Sequence, residues 1–295
     1  MKPPLEPSKD DCCNSGCNPC IFDVFEKQLK LYQQFIESGT KLPDDLSENG
    51  ISQTEYTKYQ LIQATEVCDS HKLLVFKSIS VDGKKVRWKP GDHFLLKYIS
   101  KDLCCTKAYT PIKQKDCSKD HDFAIILKVY YDGLVSNYLN DLQEGDITLW
   151  RGPYGAFEIT PNKFNRLIMI AQGTGIATFI SIIKNILDNE DDITKMFLYY
   201  CTQSENTILF RSELYAFKQY WNFTYKIFIN NYSEHTKYKY QEPITHHKFS
   251  LEDLEPLEFF QCNSQFLVCG SENFINTYKQ LLLCGKCRIE NIFTF

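Results

Sequence analysis

The unbroken apolar run Leu167–Ala171 leads through Gln172 into Gly173-Thr174-Gly175, and a helical pattern then continues to Leu187. A run this short and this apolar suits a strand buried on both faces, the environment of a parallel sheet covered by helices. The alternation repeats downstream. Met196–Cys201 reads as strand, Ile208–Trp221 as helix, Thr224–Ile229 as strand, Phe266–Cys269 as strand and Glu272–Leu283 as helix. Strand–helix units of this kind predict a parallel, Rossmann-like α/β domain over residues 163–295. Glycines at the first turn let a backbone approach a phosphate, and the helix that follows offers unpaired N–H groups and a partial positive charge. A tight strand–helix turn with no ligand also uses glycine, so this turn alone decides nothing.

Upstream the texture changes. The candidate strands are Tyr59–Cys68, Leu73–Ile79, His93–Tyr98, Cys105–Ile112, Phe123–Tyr130 and Asp146–Arg151. They are separated by turn pairs such as Pro90-Gly91, Asp132-Gly133 and Glu144-Gly145, which predicts a β-barrel or sandwich over residues 51–162. One short helix, Ser136 to Leu142, is expected to interrupt it, with Ser136 as N-cap. Residues 1–50 form a third region. Ile21, Val24, Phe25, Gln28, Leu29, Tyr32, Phe35 and Ile36 mark one amphipathic helix, ended by Ser38-Gly39 and followed by a polar linker from Lys41 to Gln53.

Composition narrows the function classes. With 43% hydrophobic and 24% charged residues the chain is ordinary globular protein. A net charge of −4 argues against a general nucleic-acid binder. No apolar stretch approaches the roughly 18 residues of a membrane helix, and the opening Met-Lys-Pro-Pro carries no signal core. The expectation is a soluble cytoplasmic protein with no integral membrane segment. Of the 13 cysteines most are scattered through apolar runs and read as reduced thiols, but Cys12, Cys13, Cys17 and Cys20 cluster. His246-His247, in a polar loop without evident acidic or cysteine partners, reads as surface.

Several segments carry candidate chemistry. In Lys107-Ala108-Tyr109-Thr110-Pro111-Ile112, Tyr109 can lay its ring on a flat heterocycle, Thr110 can hydrogen-bond a ring nitrogen, and Lys107 offers a cation to a phosphate. Gly133-Leu134-Val135-Ser136 opens the short helix and gives a second helix terminus for anionic oxygens. Arg151-Gly152-Pro153-Tyr154-Gly155 closes the β-region. Cys269-Gly270 falls at the carboxyl edge of the parallel sheet, where ligands bind in open α/β folds.

In this order the motifs resemble the ferredoxin-reductase-like flavoproteins, specifically the NADH–cytochrome b5 reductase family. That family carries R-x-Y-[ST]-P, G-x-x-S, R-G-P-x-G, G-T-G-I-[AT]-P and a late C-G, and commonly ends in an aromatic residue. Here the matching residues are Lys107–Pro111, Gly133–Ser136, Arg151–Gly155, Gly173–Thr178, Cys269-Gly270 and Phe295, within a resemblance running from about Tyr59 to the end. It implies an antiparallel β-barrel FAD-binding domain followed by a Rossmann-like NAD-binding domain. It also implies FAD held by Lys107, Ala108, Tyr109, Thr110, Lys128, Tyr130, Gly133, Leu134, Val135 and Ser136. NADH would lie over Gly173, Thr174, Gly175 and Ile176, with Cys269 and Gly270 beside the nicotinamide. Thr110 and Cys269 are the candidate catalytic residues. Hydride would pass to the flavin, and electrons would leave singly to an acceptor such as cytochrome b5. Phe295 either packs near the flavin or nicotinamide or simply anchors the end of the sheet. Through a partner, the protein would reach an organelle surface.

Departures from the family pattern motivate a rival. Lys107 stands for the usual Arg, Gln172 for a frequent Gly, and Thr178 for Pro, so a catalytically weak or inactive scaffold acting in metal binding or interaction is the alternative. The cysteine cluster resembles a short oxidoreductase-like N-terminal module. Its Cys17-Asn-Pro-Cys20 spacing fits a zinc knuckle with Cys13, Cys17 and Cys20 as ligands, a thiol redox pair, or a packing element. Lys84, Lys85, Arg87, Lys89, Lys113, Lys115 and Lys119 either meet an acidic partner or are ordinary solvated lysines and arginine. Downstream, Thr202-Gln203-Ser204-Glu205-Asn206 offers an acid and no cation, which favours NADH over NADPH.

Overall fold

The computed structural model describes residues 3–4, 6–7, 21–38, 49–80, 83–100, 104–114, 120–230, 238–254 and 263–295. The chain divides into two compact units, Met1–Glu66 with Lys72–Ala156, and Val67–His71 with Phe157–Phe295.

In the first unit, β1 (Thr57–Cys68), β2 (His71–Ser78), β3 (His93–Ile99), β4 (Cys104–Tyr109), β5 (Phe123–Lys128) and β6 (Ile147–Tyr154) lie in the order β4-β3-β6-β1-β2-β5. The β1–β6, β3–β4 and β3–β6 pairs are antiparallel. The expected strand Cys105–Ile112 leaves the ladder after Tyr109 and rejoins at Ile112, which bridges Ala124 of β5 through N–H···O bonds of 2.8 and 3.0 Å. That bridge joins the two edges of the sheet, so it closes as a barrel. Inward-facing aromatics fill it. The Phe123 ring centre lies 5.0 Å from those of Tyr59 and Phe94 and 5.3 Å from those of Phe76 and Trp150. The polar tips of the largest rings are satisfied, Tyr59 OH donating to Gly50 O at 2.8 Å and Trp150 Nε1 to Thr148 Oγ1 at 2.7 Å.

Two helices belong to this unit. α1 (Ile21–Ser38) rests Phe22 on Leu95 and Tyr154, beside Ala108. Leu95 pairs with Ala108 across β3 and β4, so Phe22 covers the face opposite Lys107 and Tyr109. α2 (Leu134–Asp141) begins two residues earlier than expected, and its N-cap is Gly133. Ser136 is therefore not the cap. It occupies the third helical position, and its hydroxyl donates back to Gly133 O at 3.0 Å while accepting from Tyr130 N–H at 3.2 Å.

The second unit is a parallel sheet with covering helices. Its elements are β7 (Arg166–Gln172), α3 (Ile176–Leu187), β8 (Lys195–Thr202), α4 (Arg211–Phe217), β9 (Phe223–Ile229), β10 (Ile244–Thr245), β11 (Ser264–Cys269), α5 (Glu272–Cys284) and β12 (Ile292–Thr294). The order is β10-β9-β8-β7-β11-β12, parallel throughout. Strands are added on one side of β7 up to β10, and the chain then returns to place β11 on the other. β7 and β11 therefore flank the topological switch point. β7 is buried from Leu167 to Ala171, as its apolar run requires.

Three expectations need correction. The helix expected over Ile208–Trp221 is only Arg211–Phe217: Glu205–Thr207 form a separate capped 3-10 turn, and Phe210 takes a left-handed φ of 53° that a right-handed helix cannot run through. The aromatics that extended its pattern end outside it, Trp221 being 70% exposed. The short strands β10 and β12 escaped notice, since two or three residues show no periodicity. His247 is on the surface but does have an acidic partner, its Nε2 lying 2.9 Å from Asp253 Oδ1.

Candidate functional site

At the switch point the ends of β7 and β11 are tightly interlocked. Ala171 pairs with Cys269, and the chain then turns through Gly173-Thr174-Gly175 into α3. A Cβ on Gly175 would lie 2.8 Å from Cys269 O and 3.0 Å from Cys269 Sγ, so only glycine allows this approach. Gly173 has a positive φ of 53° and open space where a Cβ would be. The Cys269 thiol lies 3.8 Å from Thr178 Oγ1. Burial pushes its pKa up to about 11, against a smaller downward pull from that hydroxyl, so it stays a neutral thiol at physiological pH. Gln172 reaches across to Ser271, the residue after Gly270. Gly173, Thr174, Gly175, Ile176, Cys269 and Gly270 thus converge.

Phe295 extends the same unit. Its N–H donates to Val268 O at 3.1 Å, and its ring lies 4.9, 5.3 and 5.8 Å from those of Phe293, Phe157 and Phe179. These contacts hold Phe295 at the end of the sheet.

At the end of β8, Glu205 is buried and accepts from Tyr238 OH at 3.0 Å, and that hydroxyl also lies 3.1 Å from His246 Nε2. Arg211 forms a two-pronged pair with Glu242, Nε to Oε1 at 2.7 Å and the second nitrogen to Oε2 at 2.5 Å. Burial works to raise the Glu242 pKa, but Arg211 and the Lys239 N–H outweigh it and hold the carboxyl below its ordinary value. The arginine fork is occupied by a carboxylate whose side chain is fully buried. Sequence reading missed this pair, since Glu242 lies 31 residues from Arg211 with no local signal.

In the first unit, Lys107, Ala108 and Tyr109 end β4 and Thr110 follows directly, all half-buried. Tyr109 sets its ring 5.8 Å from that of Trp150 at 70°. Burial pushes its phenol pKa up, with Cys105 and Tyr130 near enough to add to the effect. The β4 end and the Lys128–Ser136 segment are therefore neighbours. Lys128 Nζ lies 5.3 Å from the centre of the Tyr130 ring, which is 56% exposed. Ser136 ties Tyr130 to Gly133, so its hydroxyl is used internally. The first backbone N–H groups of α2, on Leu134, Val135 and Ser136, have no intrahelical acceptor. Val135 buries its side chain in the barrel core, and Leu134 is exposed. Any Cβ on Gly133 would collide with Ser136 Oγ.

The partners of Arg151 and the burial of His93 in this unit had no sequence signal. Arg151 is buried and donates through its Nε and a terminal nitrogen to Gln53 O at 3.3 and 3.0 Å, which Tyr154 OH also meets at 2.7 Å. His93 opens β3 with Nε2 buried and without a hydrogen-bond partner among the described residues, and burial pushes its pKa down to about 4, keeping the ring neutral.

Both segments fit the groups expected of them. The first unit presents a half-buried tyrosine, a hydroxyl, cations and free helix N–H groups, suited to a flat heterocycle with phosphates. The second presents a glycine cradle at a switch point. The proposed zinc ligands Cys13, Cys17 and Cys20 lie outside the described residues. Among the described residues no group of three or more His, Cys, Asp or Glu could hold a metal ion. Nor is any helix among them long and apolar enough to cross a membrane.

Comparison with known proteins places these segments in context. Residues 58–159 match the family described as oxidoreductase FAD-binding domain, and 169–280 match oxidoreductase NAD-binding domain. Residues 1–40 match oxidoreductase-like protein, N-terminal. The chain is 30% identical to the Homo sapiens protein named NADH-cytochrome b5 reductase-like, over 99% of this chain and 94% of that one. Among solved structures it is similar to the cytochrome b5 reductase domain of Ulva prolifera nitrate reductase, with TM-score 0.67 and 20% identity, covering 84% of this chain and 100% of that one. The CS-b5R domains of human Ncb5or in the NAD+ form align with TM-score 0.66 and 22% identity, over 81% of this chain and 69% of that one.

Proposed function

Because the chain belongs to the NADH–cytochrome b5 reductase-like family of FAD- and NAD-binding oxidoreductases, we propose that it passes electrons from NADH through FAD to a one-electron acceptor, a haem protein such as cytochrome b5. The observation that supports this most is the switch point, where Gly175 and Cys269 meet closely with open space left over Gly173.

Bound flavin supplies the chemistry, accepting a hydride and releasing electrons one at a time. The protein binds and orients. Tyr109 offers a ring face, Thr110 a hydroxyl for a ring nitrogen, and Lys107 a positive charge. Lys128, Tyr130 and the N–H groups of Leu134, Val135 and Ser136 complete the set, with Gly133 and Ala108 giving close backbone approach. In the second unit Gly173–Ile176 would carry the nucleotide, and Cys269 and Gly270 would shape the nicotinamide pocket. A neutral Cys269 thiol is a poor nucleophile, which agrees with a packing role beside the reacting carbon. The Arg211 guanidinium is held by Glu242 rather than turned to a 2′-phosphate, which supports NADH over NADPH. The cysteines scattered through apolar runs read from the sequence as reduced thiols, and on that reading the protein works in a reducing compartment such as the cytoplasm.

The test is a purified sample. The proposal expects a yellow protein whose flavin absorption bleaches on adding NADH and returns when a one-electron acceptor is supplied. A colourless protein that cannot be reconstituted with FAD would overturn it.

A further inference from the structure

Gln172 ends β7 where related turns often carry glycine, and its side chain bridges the switch point. Its Oε1 accepts twice from Ser271, from the backbone N–H at 3.1 Å and from the hydroxyl at 2.8 Å. Ser271 is itself the N-cap of α5, accepting from Phe274 N–H at 3.4 Å. Gly270 leaves room for the bridge, since a Cβ there would come within 2.8 Å of Gln172 Cβ and of Phe274 Cδ1. The orientation of the amide follows from chemistry. A backbone N–H can only donate, so the atom facing Ser271 must be the oxygen and not Nε2. Among the described residues the two N–H donors of Nε2 meet no acceptor, on a half-buried side chain beside the cradle of Gly173 and Gly175.

We propose that Gln172 is a nucleotide-positioning residue: clamped by Ser271, its Nε2 donates to a phosphate oxygen of the bound dinucleotide. The role rests on the NADH-dependent function above. A phosphate at the start of α3 is what a strand–turn–helix cradle of this kind accommodates, and Gln172 directly precedes that turn. A neutral amide adds direction without the long, mobile side chain of a lysine.

The test is NAD+ binding to the flavin-loaded protein by calorimetric titration, with flavin content and unfolding midpoint measured alongside. Gln172→Glu keeps an oxygen for Ser271 but removes both donors and sets a negative charge beside the phosphate. It should weaken NAD+ about tenfold or more, the scale of one hydrogen bond to a charged group. Ser271→Ala releases the clamp and keeps the donors, and should weaken NAD+ by a smaller factor. Both variants should keep their flavin. Gln172→Gly serves as a second probe should Gln172→Glu prove unstable, and should also lose affinity. If wild type binds NAD+ and either Gln172 variant, properly folded, matches it within twofold, the positioning role is wrong while the reductase function stands. A wild-type chain that binds no NAD+ overturns the reductase function itself, and this role with it.

Discussion

Gly175→Ala probes the closest contact in the nucleotide cradle. The residue has φ −58° and ψ −19°, ordinary helical values that alanine adopts freely, so backbone strain contributes nothing. The obstacle is the facing strand. The new Cβ would stand 2.8 Å from Cys269 O, where ordinary contact begins near 3.4 Å, so one side must retreat by roughly 0.6 Å. That oxygen belongs to backbone held in register with β7 and cannot rotate away as a side chain would. Overpacking of this kind costs about 1–3 kcal/mol, against about 0.4–1 kcal/mol recovered from the reduced freedom of the unfolded chain. The net loss is at most about 2.6 kcal/mol and centres on about 1.3 kcal/mol, a drop of a few degrees in melting temperature for a unit of this size. NAD+ affinity should fall further than stability does, because displacement occurs where the nucleotide binds. Gly173→Ala is the control. It pays about 1–2 kcal/mol for a left-handed backbone but meets nothing within 4 Å, leaving Cys269 in place. Calorimetric melting and NAD+ titration of both variants measure the difference. A Gly175→Ala protein that melts within a degree of wild type and binds NAD+ equally well would refute the close approach.

Thr110→Val should keep the flavin yet slow its reduction by NADH, by the factor corresponding to about 0.5–1.5 kcal/mol; an unchanged stopped-flow rate would remove Thr110 from the site. Cys269→Ser should cut the reduction rate without loss of flavin and Cys269→Leu should cut it further, whereas wild-type turnover in both would make Cys269 an ordinary strand residue. Glu242→Gln should destabilise the protein by about 1–3 kcal/mol at pH 7, below the full cost for a wholly buried pair because Arg211 keeps a quarter of its side chain exposed. The lowered folded pKa of Glu242 means its contribution is complete above the ordinary glutamate value of 4.5 and is lost as pH falls through the folded value; urea unfolding across pH 3–7 should show wild type and variant converging in acid. Phe22→Ala should lower stability by about 1–2 kcal/mol, reflecting a half-buried ring on Leu95 and Tyr154. A chain starting at Ser52 should still bind FAD but melt lower, and equal melting would show that α1 contributes nothing.

Local sequence was sufficient for some of this protein and silent on the rest. Leu167–Ala171 read as a buried parallel strand because both faces of β7 are covered, so every residue had to be apolar. Gly173-Thr174-Gly175 was legible for a similar reason, since its constraint lies within the turn. The helix ends were less so. Ser136 looked like an N-cap, but the hydrogen-bonding needs of Tyr130 and Gly133 placed it one turn inside. The helix read from Ile208 to Trp221 ends at Phe217, and Trp221 lies beyond it, exposed.

The amino-acid order thus determined the two sheet types and the family, because periodicity and turn chemistry act over a few neighbouring residues. Long-range pairings were decided only by tertiary structure. Gln172 meets Ser271, Arg211 meets Glu242, Arg151 meets Gln53 and Phe22 meets Leu95 across tens of residues of chain. A hydrogen bond or ring contact leaves no trace in the spacing of either partner. It exists once parallel strands set β7 beside β11 and the barrel sets β3 beside β4 and β6.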